Sequence, residues 1–444
     1  MRPWPDRERT SLRIGFLIRD IDACGGMERQ AALLAARLSG RGHRVLVLSD
    51  DPRDASLAAL VPRAPERREA YEVARIPALR GVPAEVAREV SLLLAGLALR
   101  RQGGVDVLYA LHIASCPAAR DLGRLVGAPW AVKLACGGAP GDVALARREP
   151  EGPDQLEGLR RADRVVCLSR QIEAEARSVG VPSERLAHIP NGVDVAALVA
   201  ASASPAEGLD LPPGALPILY AGRFDAEKRV EVLLAAMVRL GAVQPQACLL
   251  LAGRAGPAQD RLRELARTLG VEPRVRFLGL RDDVPRLLKL ARVFVLPSAA
   301  EGMSNALLEA LALGTPVVTT RIPANQEVVD DDSAWLVPVD DDQALAAALA
   351  AALAGGPAGA RRVEQGRRVV AERFEIGQVA LRYEALFQQL RSRERPQTQV
   401  RAVLRERSRH TRDWVLERGA AWADDRRRVV SEAVVRVKRW LGRG

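Results

Sequence analysis

The stretch LPSAAEGMSNALLEALALGTPVVTT, residues 296–320, contains the end of one strand, a loop, a helix and a second strand. A buried strand ends at Pro297, a loop of small residues follows, and a helix begins near Ser304. The apolar run at 316–319 predicts the next strand. Strands joined by a helix in so short a segment are typical of a parallel sheet that is covered by helices.

The same alternation of short apolar runs with helical patterns extends through the first 370 residues in two series. The first series predicts strands near residues 13–18, 44–49, 105–110, 130–134, 164–168 and 187–189. The second series predicts strands near residues 218–221, 247–252, 275–278, 293–296, 316–319 and 335–337. Two doubly wound α/β domains would then face each other, and the carboxyl ends of their strands would line a cleft of the kind that binds nucleotides.

A segment without periodicity, ASASPAEGLDLPPGALP at 201–217, separates the two series. It predicts a linker because it is rich in Ser, Pro, Gly and Ala. The chain is therefore interpreted as an N-terminal domain over 1–200 and a C-terminal domain over 218–370. A closing helix is expected over 371–390, and a basic helical tail over 391–444.

Composition limits the classes of protein to which the chain can belong. Its 444 residues are enough for two or three domains, and 48% hydrophobic with 27% charged residues exclude a mainly disordered chain. Five cysteines without a C-x-x-C pair argue against a zinc site and a disulfide framework, and fit a reducing cytoplasm. No apolar run reaches the roughly 18 residues of a membrane-spanning helix.

The positive charge is concentrated in the tail. Residues 391–444 contain 16 Arg or Lys and 7 Asp or Glu, so they carry +9 of the net charge of +11. A near-neutral body is not typical of a nucleic-acid-binding enzyme, whose charge would line a groove in the folded body. Apolar tail residues at helical spacing predict an amphipathic helix that binds an anionic membrane surface or, alternatively, packs on the protein. These residues are Val430, Ala433, Val434, Val437, Trp440 and Leu441.

The helix start near Ser304 carries a strong chemical signal, because free amide groups and the positive end of a helix dipole bind anions. Glu301 in the loop and Glu309 on the helix have seven residues between them, so both can face one ligand that spans the helix start. Gly302 permits close approach of that ligand to the backbone. The alternative is that Glu309 is a solvated helix residue and Ser304 only an N-cap.

Two cations lie upstream, in ILYAGRFDAEKRVEVLLAAM at 218–237. Arg223 follows the first strand of the second series and Lys228 stands at the start of the next helix, so the two can hold a diphosphate. Lysine is otherwise rare in this chain, which favours a selected role for the compact ammonium of Lys228 over that of a solvated helix cation. The other lysines are Lys133, Lys289 and Lys438.

In this order and spacing, these segments resemble the retaining glycosyltransferases of family four, which have the GT-B fold of two facing Rossmann-like domains. The resemblance covers residues 13–390 and is strongest over 218–339. The motifs that carry it are GGMERQ at 25–30, GHRVLVLS at 42–49, CLSRQIEAEARSVGVPSERLAHIPNGVDVAAL at 167–198, AGRFDAEKR at 221–229 and the two glutamates with seven residues between them.

The resemblance implies transfer of a sugar from a nucleotide-diphospho-sugar, with retention of anomeric configuration and without a metal or other cofactor. Arg223 and Lys228 would hold the diphosphate, and with Glu301, which would lie against the donor sugar, they form the implied catalytic group. Glu309 would accept hydrogen bonds from the ribose hydroxyls. Backbone of the donor site would come from the turn that closes over the phosphates and from the helix start: Gly25, Gly26, Gly302, Met303, Ser304 and Asn305.

One position departs from the family pattern. Many members carry a histidine after the strand that corresponds to 130–134, where it contacts the sugar, but this chain reads VKLACGG there, with Ala135 and Cys136 at or beside that place. His112 and Lys133 are candidate substitutes on the acceptor or sugar side. The alternative for His112 is a loop or strand-end residue without a role. The remaining histidines flank strands and are interpreted as packing residues: His43 and His188.

Two aspartate patterns are set aside. Asp20 and Asp22 match the D-x-D pattern of metal-dependent transferases, but they follow the first strand rather than lying in mid-domain. The clusters at 330–332 and 340–342 predict a turn and a helix start. The chain contains neither G-x-G-x-x-G nor a P-loop, which removes the main support for a dehydrogenase or a kinase.

The expected protein is a cytoplasmic glycosyltransferase, peripheral on the inner face of the plasma membrane, that acts in the assembly of a surface polysaccharide, lipopolysaccharide or glycolipid. A glycan or lipid-linked acceptor and a nucleotide-sugar donor are the expected partners, and nucleic acid is not. The pathway rests on the resemblance alone. Two alternatives stay open: a nucleotide-sugar epimerase of the same fold, and a catalytically weak nucleotide-sugar-binding scaffold protein.

Overall fold

The computed structural model describes residues 11–23, 25–55, 66–79, 95–96, 99–100, 103–206, 208–209, 211–254 and 256–392. The strands within these ranges are β1 (Arg13–Ile18), β2 (Arg44–Ala55), β3 (Glu66–Arg67), β4 (Glu72–Leu79), β5 (Val107–Ala110), β6 (Trp130–Leu134), β7 (Arg164–Cys167), β8 (Leu186–His188), β9 (Leu216–Ala221), β10 (Ala247–Ala252), β11 (Val275–Gly279), β12 (Val293–Leu296), β13 (Val317–Thr320) and β14 (Trp335–Val337).

The α-helices within the same ranges connect these strands, and the last of them follow the second sheet. They are α1 (Gly26–Gly40), α2 (Cys116–Val126), α3 (Asp142–Ala146), α4 (Gly152–Arg161), α5 (Arg170–Ser178), α6 (Val195–Ala201), α7 (Val230–Val243), α8 (Pro257–Thr268), α9 (Val284–Leu290), α10 (Asn305–Leu313), α11 (Pro323–Gln326), α12 (Asp342–Ala354), α13 (Gly356–Arg373) and α14 (Ile376–Arg391).

Within the described ranges, the first sheet has eight strands in the order β3-β4-β2-β1-β5-β6-β7-β8. Neighbours pair in parallel except β3 with β4, which pair antiparallel. The six strands that the sequence predicts here are confirmed, whereas β3 and β4 are additional. The β4 sequence EVARIPAL interrupts its apolar residues with charged side chains and Pro77, so no apolar run marks this strand.

The second sheet, in the part of the chain that the structure describes, has six parallel strands in the order β11-β10-β9-β12-β13-β14. All six are predicted from the sequence. The strand order reverses between β9 and β12. In open parallel sheets the crevice outside the carboxyl ends of two such strands binds ligands. Because Lys228 follows β9 and Glu301 follows β12, both residues belong to loops that open into this crevice.

The chain crosses between the two domains near Val193 and returns near Glu375. The Val193 N–H donates to Phe374 O at 2.8 Å and the Ile376 N–H donates to Val193 O at 3.0 Å, so the two crossings lie side by side. Helix α6 already packs against α9 and α10 of the second domain. The crossing therefore precedes the 201–217 segment, because α6 finds its apolar partners in the second domain.

The segment at 371–390 differs from the single helix that the sequence predicts there. Helix α13 ends at Arg373, the chain breaks at Phe374 and Glu375, and α14 begins at Ile376. Glu375 caps α14 through its side chain, which accepts a hydrogen bond from the Gly377 N–H. The break is needed because α14 returns to the first domain and packs against α1.

Helices cover both faces of the two sheets, as strands that are buried along their whole length require. Every residue of β5, β12 and β13 is buried. Among the described residues, no single helix combines the length and apolar composition needed to cross a bilayer, and one pair that passes together, α12 with α13, is bent by 97°. The predicted tail helix, with its residues at 430–441, lies outside the described residues.

Candidate functional site

Lys228 and Glu301 form an ion pair at the crevice of the second domain. Lys228 ends a short 3-10 turn between β9 and α7, and its Nζ lies 2.9 Å from Glu301 Oε1. The two side chains are only 13% and 10% exposed. Ser298 Oγ donates a hydrogen bond to the same carboxylate oxygen at 2.8 Å. Glu301 therefore holds the ammonium, which has three donors and retains capacity for an anionic ligand.

Arg223, the second predicted cation, lies at the rim of the crevice. Its side chain is 73% exposed, and its Nη1 lies 2.7 Å from Asp225 Oδ2. Its Nη2 is 3.7 Å from Glu227 Oε1. A phosphate would have to replace these carboxylates, so the diphosphate-binding role of Arg223 stays a prediction.

The start of α10 has the free donors that the sequence predicts. Ser304 is the N-cap, and its Oγ accepts a hydrogen bond from the Leu307 N–H at 3.3 Å. Within the described ranges, no hydrogen-bond acceptor is assigned to the backbone N–H groups of Ser304, Asn305 and Ala306. These groups and the helix dipole form a positive end directly after the Glu301 loop.

Gly302 lets the two domains touch. A Cβ atom at this position would lie 1.6 Å from Ala135 O and 3.0 Å from the Cα of Cys136. The sequence predicts that a ligand approaches the backbone at Gly302, but the loop that follows β6 occupies this space instead. Because only glycine fits there, this position controls how closely the two sides of the cleft approach.

Glu309 also faces the first domain. Its side chain is 14% exposed, and its Oε1 lies 3.8 Å from Nη1 of Arg29 on α1. Burial raises the pKa of Glu309, and the charge of Arg29 opposes that rise. The Glu309 carboxyl group thus lies at the contact between the two domains. Its hydrogen bonds to a ribose stay a prediction.

The predicted Gly25-Gly26 turn meets the start of α10. Gly25 is the N-cap of α1, and Gly26 is the first residue of that helix. Asn305 Nδ2 donates a hydrogen bond to Gly26 O at 3.0 Å. A Cβ at Gly26 would lie 2.9 Å from that same nitrogen, so a side chain at this position would displace the Asn305 amide. The structure therefore brings together the two backbone segments expected to hold the diphosphate.

Lys133, a candidate for the acceptor or sugar side, is buried. It is 4% exposed, and its Nζ donates a hydrogen bond to Asn191 Oδ1 at 2.7 Å. Burial lowers the pKa of Lys133 to about 8, and Asp142 opposes the fall. The ammonium is therefore bound to a protein side chain, which argues for a structural position rather than direct contact with an acceptor.

His112, the other candidate, contacts Asp142. Its Nδ1 accepts a hydrogen bond from the Ala114 N–H at 3.1 Å, so Nε2 carries the proton and faces Asp142 Oδ1 at 3.1 Å. Asp142 Oδ2 in turn accepts from the backbone N–H groups of Ala135 and Cys136, at 2.5 and 3.1 Å. His112 and Asp142 together hold the loop after β6, which contains Ala135 and Cys136.

Cys136 lies in this loop and is not an activated nucleophile. Burial raises the pKa of its thiol to about 11, and the charge of Asp142 adds to the rise. The thiol is protonated at neutral pH.

Asp22 of the D-x-D pattern, His43 and Asp341 each contact other residues of the protein. Asp22 forms ion pairs with Arg68 and Arg75. His43 is buried, with Nδ1 accepting from the Leu12 N–H at 3.1 Å. Asp341 caps α12 by accepting from the Ala344 N–H at 2.8 Å, which confirms the predicted helix start.

His188, interpreted from the sequence as a packing residue, is instead exposed at the end of β8, beside Glu327 of the second domain. Its Nε2 is 3.3 Å from Leu168 O and 3.9 Å from Glu327 Oε2. In the described part of the chain, no group of three or more His, Cys, Asp or Glu side chains is placed to hold a metal ion.

Three residues of the cleft have no role in the sequence analysis: Arg29, Asp142 and Asn191. Arg29 and Asn191 lie within the motifs GGMERQ and IPNGVDV, so their segments are recognisable but their contacts are not. Each contact joins residues more than a hundred positions apart along the chain or depends on the loop after β6. Sequence spacing does not encode such pairs.

Two family descriptions match this chain. One, "Glycosyl transferase 4-like domain", matches residues 25–192, and the other, "Glycosyl transferases group 1", matches residues 216–355. The first match contains the Gly25-Gly26 turn and Asn191. The second contains Lys228, Glu301 and Glu309.

Two curated relatives and one solved structure extend this likeness. The 2-deoxystreptamine N-acetyl-D-glucosaminyltransferase of Streptomyces fradiae is 30% identical over 359 residues, which cover 74% of this chain and 82% of that protein. The lipopolysaccharide core biosynthesis glycosyltransferase LpsE of Rhizobium meliloti is 32% identical over 223 residues, which cover 50% of this chain and 63% of that protein. The fold is similar to that of Anabaena HepE in complex with UDP, with a TM-score of 0.67 and 18% identity over 85% of this chain and 100% of that chain.

Proposed function

Because this chain belongs to the group 1 glycosyltransferases, we propose that Lys228, Glu301 and the start of α10 bind the diphospho-sugar end of its nucleotide-sugar donor. The chain is a retaining glycosyltransferase of the GT-B fold by its family, and the proposal concerns the residues and the acceptor. The observation that carries it is the nearly buried Lys228–Glu301 pair, 2.9 Å apart, at the point where the strand order of the second sheet reverses.

The charge that develops on the leaving group explains this arrangement. When the bond between the sugar C1 and the phosphate oxygen breaks, the electron pair leaves with the nucleoside diphosphate. An acceptor hydroxyl bonds to C1 on the same face and gives its proton to the departing phosphate oxygen. The ammonium of Lys228 and the free N–H groups at the start of α10 stabilise that anion, because their positions are set before the reaction begins. Arg223 adds positive charge from the rim, and Glu309 binds the ribose.

The acceptor is proposed to be a glycan or a lipid-linked glycan of a surface polysaccharide, lipopolysaccharide or glycolipid. The name of the LpsE relative supports this class, and that of the Streptomyces fradiae relative points to a different small acceptor. The basic tail gives independent support, because +9 charges beside an apolar stripe suit an anionic membrane on which such acceptors are held. We therefore propose a cytoplasmic enzyme that is peripheral on the inner face of the plasma membrane.

A donor panel tests the proposal. UDP-, GDP- and ADP-sugars are incubated with and without glycan and lipid-linked acceptors, and release of the nucleoside diphosphate is measured for the wild type and for Glu309→Ala. Lys289→Ala, which removes an exposed lysine on α9, is the matched control. We expect acceptor-dependent release that is lost in Glu309→Ala and kept in Lys289→Ala. Conversion of the donor sugar without an acceptor would indicate an epimerase, and binding without turnover a scaffold protein.

A further inference from the structure

Asn191 lies where the chain crosses between the domains, and the two residues that follow it are held by backbone hydrogen bonds. Gln30 of α1 makes two hydrogen bonds to the next residue: its Nε2 donates to Gly192 O at 2.8 Å, and its Oε1 accepts from the Gly192 N–H at 3.0 Å. The following residue, Val193, is bonded to the returning chain. Asn191 is 6% exposed, so it is a buried polar residue in a rigid segment.

The side chain of Asn191 connects both sides of the donor cleft. Its Oδ1 accepts from Lys133 Nζ of the first domain at 2.7 Å. Its Nδ2 donates to Asn305 Oδ1 at 2.9 Å and to Met303 O at 3.3 Å, both at the start of α10. Asn305 Nδ2 then donates to Gly26 O at 3.0 Å. One chain of hydrogen bonds thus runs from β6 through α10 to the Gly25-Gly26 turn.

The groups at the two ends of this series of hydrogen bonds determine which atoms donate and which accept. The ammonium of Lys133 has donors and no acceptor, so it must face the oxygen of the Asn191 amide. The nitrogen of that amide then faces Met303 O, and the Asn305 amide takes the matching orientation, which ends on a backbone carbonyl. Each amide has a single orientation that satisfies all its partners, as buried polar networks require.

We propose that Asn191 is a positioning residue for donor binding, which uses Lys133 as its anchor and aligns the start of α10 with the Gly25-Gly26 turn. Asn191 is buried, and it contacts the proposed donor site only from behind, through Met303 and Asn305. It holds the Met303 carbonyl and the Asn305 side chain, and so directs the neighbouring N–H groups of α10 toward the diphosphate. The inference rests on the proposed function, since it takes the diphosphate to bind at that helix start.

The substitution Asn191→Asp separates this role from packing, because it keeps the shape of the side chain. One carboxylate oxygen keeps the bond to Lys133, but the other faces Met303 O and Asn305 Oδ1, which are also acceptors. The two contacts with α10 thereby become repulsive. Glu327→Ala is the control, since Glu327 Oε1 accepts from the Arg170 N–H at 2.8 Å and so joins the two domains elsewhere.

The test measures nucleoside diphosphate binding by calorimetry, donor KM and kcat at saturating donor, and thermal unfolding of each variant. We expect Asn191→Asp to raise the Kd and the donor KM roughly tenfold, as for the loss of one good hydrogen bond, while kcat falls far less. Glu327→Ala should keep wild-type Kd and KM. Lys133→Met, which removes the anchor, should raise Kd and KM in the same direction.

A wild-type Kd and KM in Asn191→Asp would overturn the inference. If Asn191→Asp does not fold, Lys133→Met is used in its place. An unchanged Kd in Lys133→Met would equally overturn the inference. An increase of the same size in Glu327→Ala would also overturn it, because any interdomain contact would then have this effect. Failure of the proposed function is distinguishable, since the wild type itself would then neither bind a nucleoside diphosphate nor turn over a donor.

Discussion

The Nζ atom of Lys228 lies 2.9 Å from Oε1 of Glu301, and the two side chains are 13% and 10% exposed. A lysine so far removed from water is held by its counterion, and removal of one partner leaves the other buried and unpaired. The pair therefore has two functions in this account: it keeps a cation in the crevice before the donor binds, and it fixes Glu301 beside the donor sugar.

Lys228→Ala should lower kcat/KM for donor turnover by roughly 10²–10³, the usual effect of removing one donor that stabilises a developing anion. Lys289→Ala, which removes an exposed lysine, should leave kcat/KM unchanged. Initial rates of nucleoside diphosphate release measure both, and circular dichroism checks that each variant is folded. Wild-type kinetics in Lys228→Ala would remove Lys228 from the donor site.

Chelation of divalent metals should not change activity. Lys228 and the start of α10 supply the positive charge that a metal would otherwise provide for the diphosphate. Donor turnover is compared with and without EDTA and after addition of Mn²⁺. Activity that disappears with EDTA and returns with Mn²⁺ would contradict the account and reopen a metal role for Asp20 and Asp22, although Asp22 is already paired with two arginines.

Deletion of residues 396–444 should abolish binding to anionic vesicles, because the tail carries most of the excess positive charge. Added salt should weaken vesicle binding of the full chain, since the charge attraction is screened. Sedimentation with phosphatidylglycerol vesicles measures both effects, and turnover with a soluble acceptor should survive the deletion. Undiminished vesicle binding would contradict the membrane role. Loss of the fold would show instead that the tail packs on the protein.

The buried Lys133 should give unfolding a distinct pH dependence. Burial lowers its pKa from 10.5 to about 8, so between these values the unfolded chain binds more protons than the folded chain. The free energy of unfolding therefore gains a contribution that rises with pH in this window, by at most about 1.4 kcal/mol per pH unit. Urea unfolding of the wild type and Lys133→Met at pH 7, 8, 9 and 10 measures it. A difference between the two proteins that stays constant with pH would contradict the shifted pKa.

Most strands of the two sheets could be predicted from the sequence, because they are buried on both faces and so appear as short apolar runs. The order β11-β10-β9-β12-β13-β14 then places the loops of Lys228 and Glu301 at one crevice, so the position of this crevice follows from local patterns and general topology. The edge strand β4 has no such run, since Arg75 and Pro77 interrupt it.

The contacts between the domains could not be predicted in this way. Asn191 and Asn305 are 114 positions apart, and neither pattern nor charge marks them as partners. The sequence predicts the crossing at 201–217, because these residues have the composition of a linker, and the composition of α6 does not show which domain it packs against. Polar contacts between the domains depend on how the two folded domains pack against each other. The spacing of residues along the sequence carries no information about that packing.

A crystal structure of the protein with a bound nucleoside diphosphate would show whether Lys228 and the start of α10 form the donor site. We expect the diphosphate at the carboxyl ends of β9 and β12, with its oxygens within hydrogen-bond distance of Lys228 Nζ and of the N–H groups at the start of α10, and with the ribose beside Glu309. A diphosphate bound away from Lys228 and α10 would contradict this expectation.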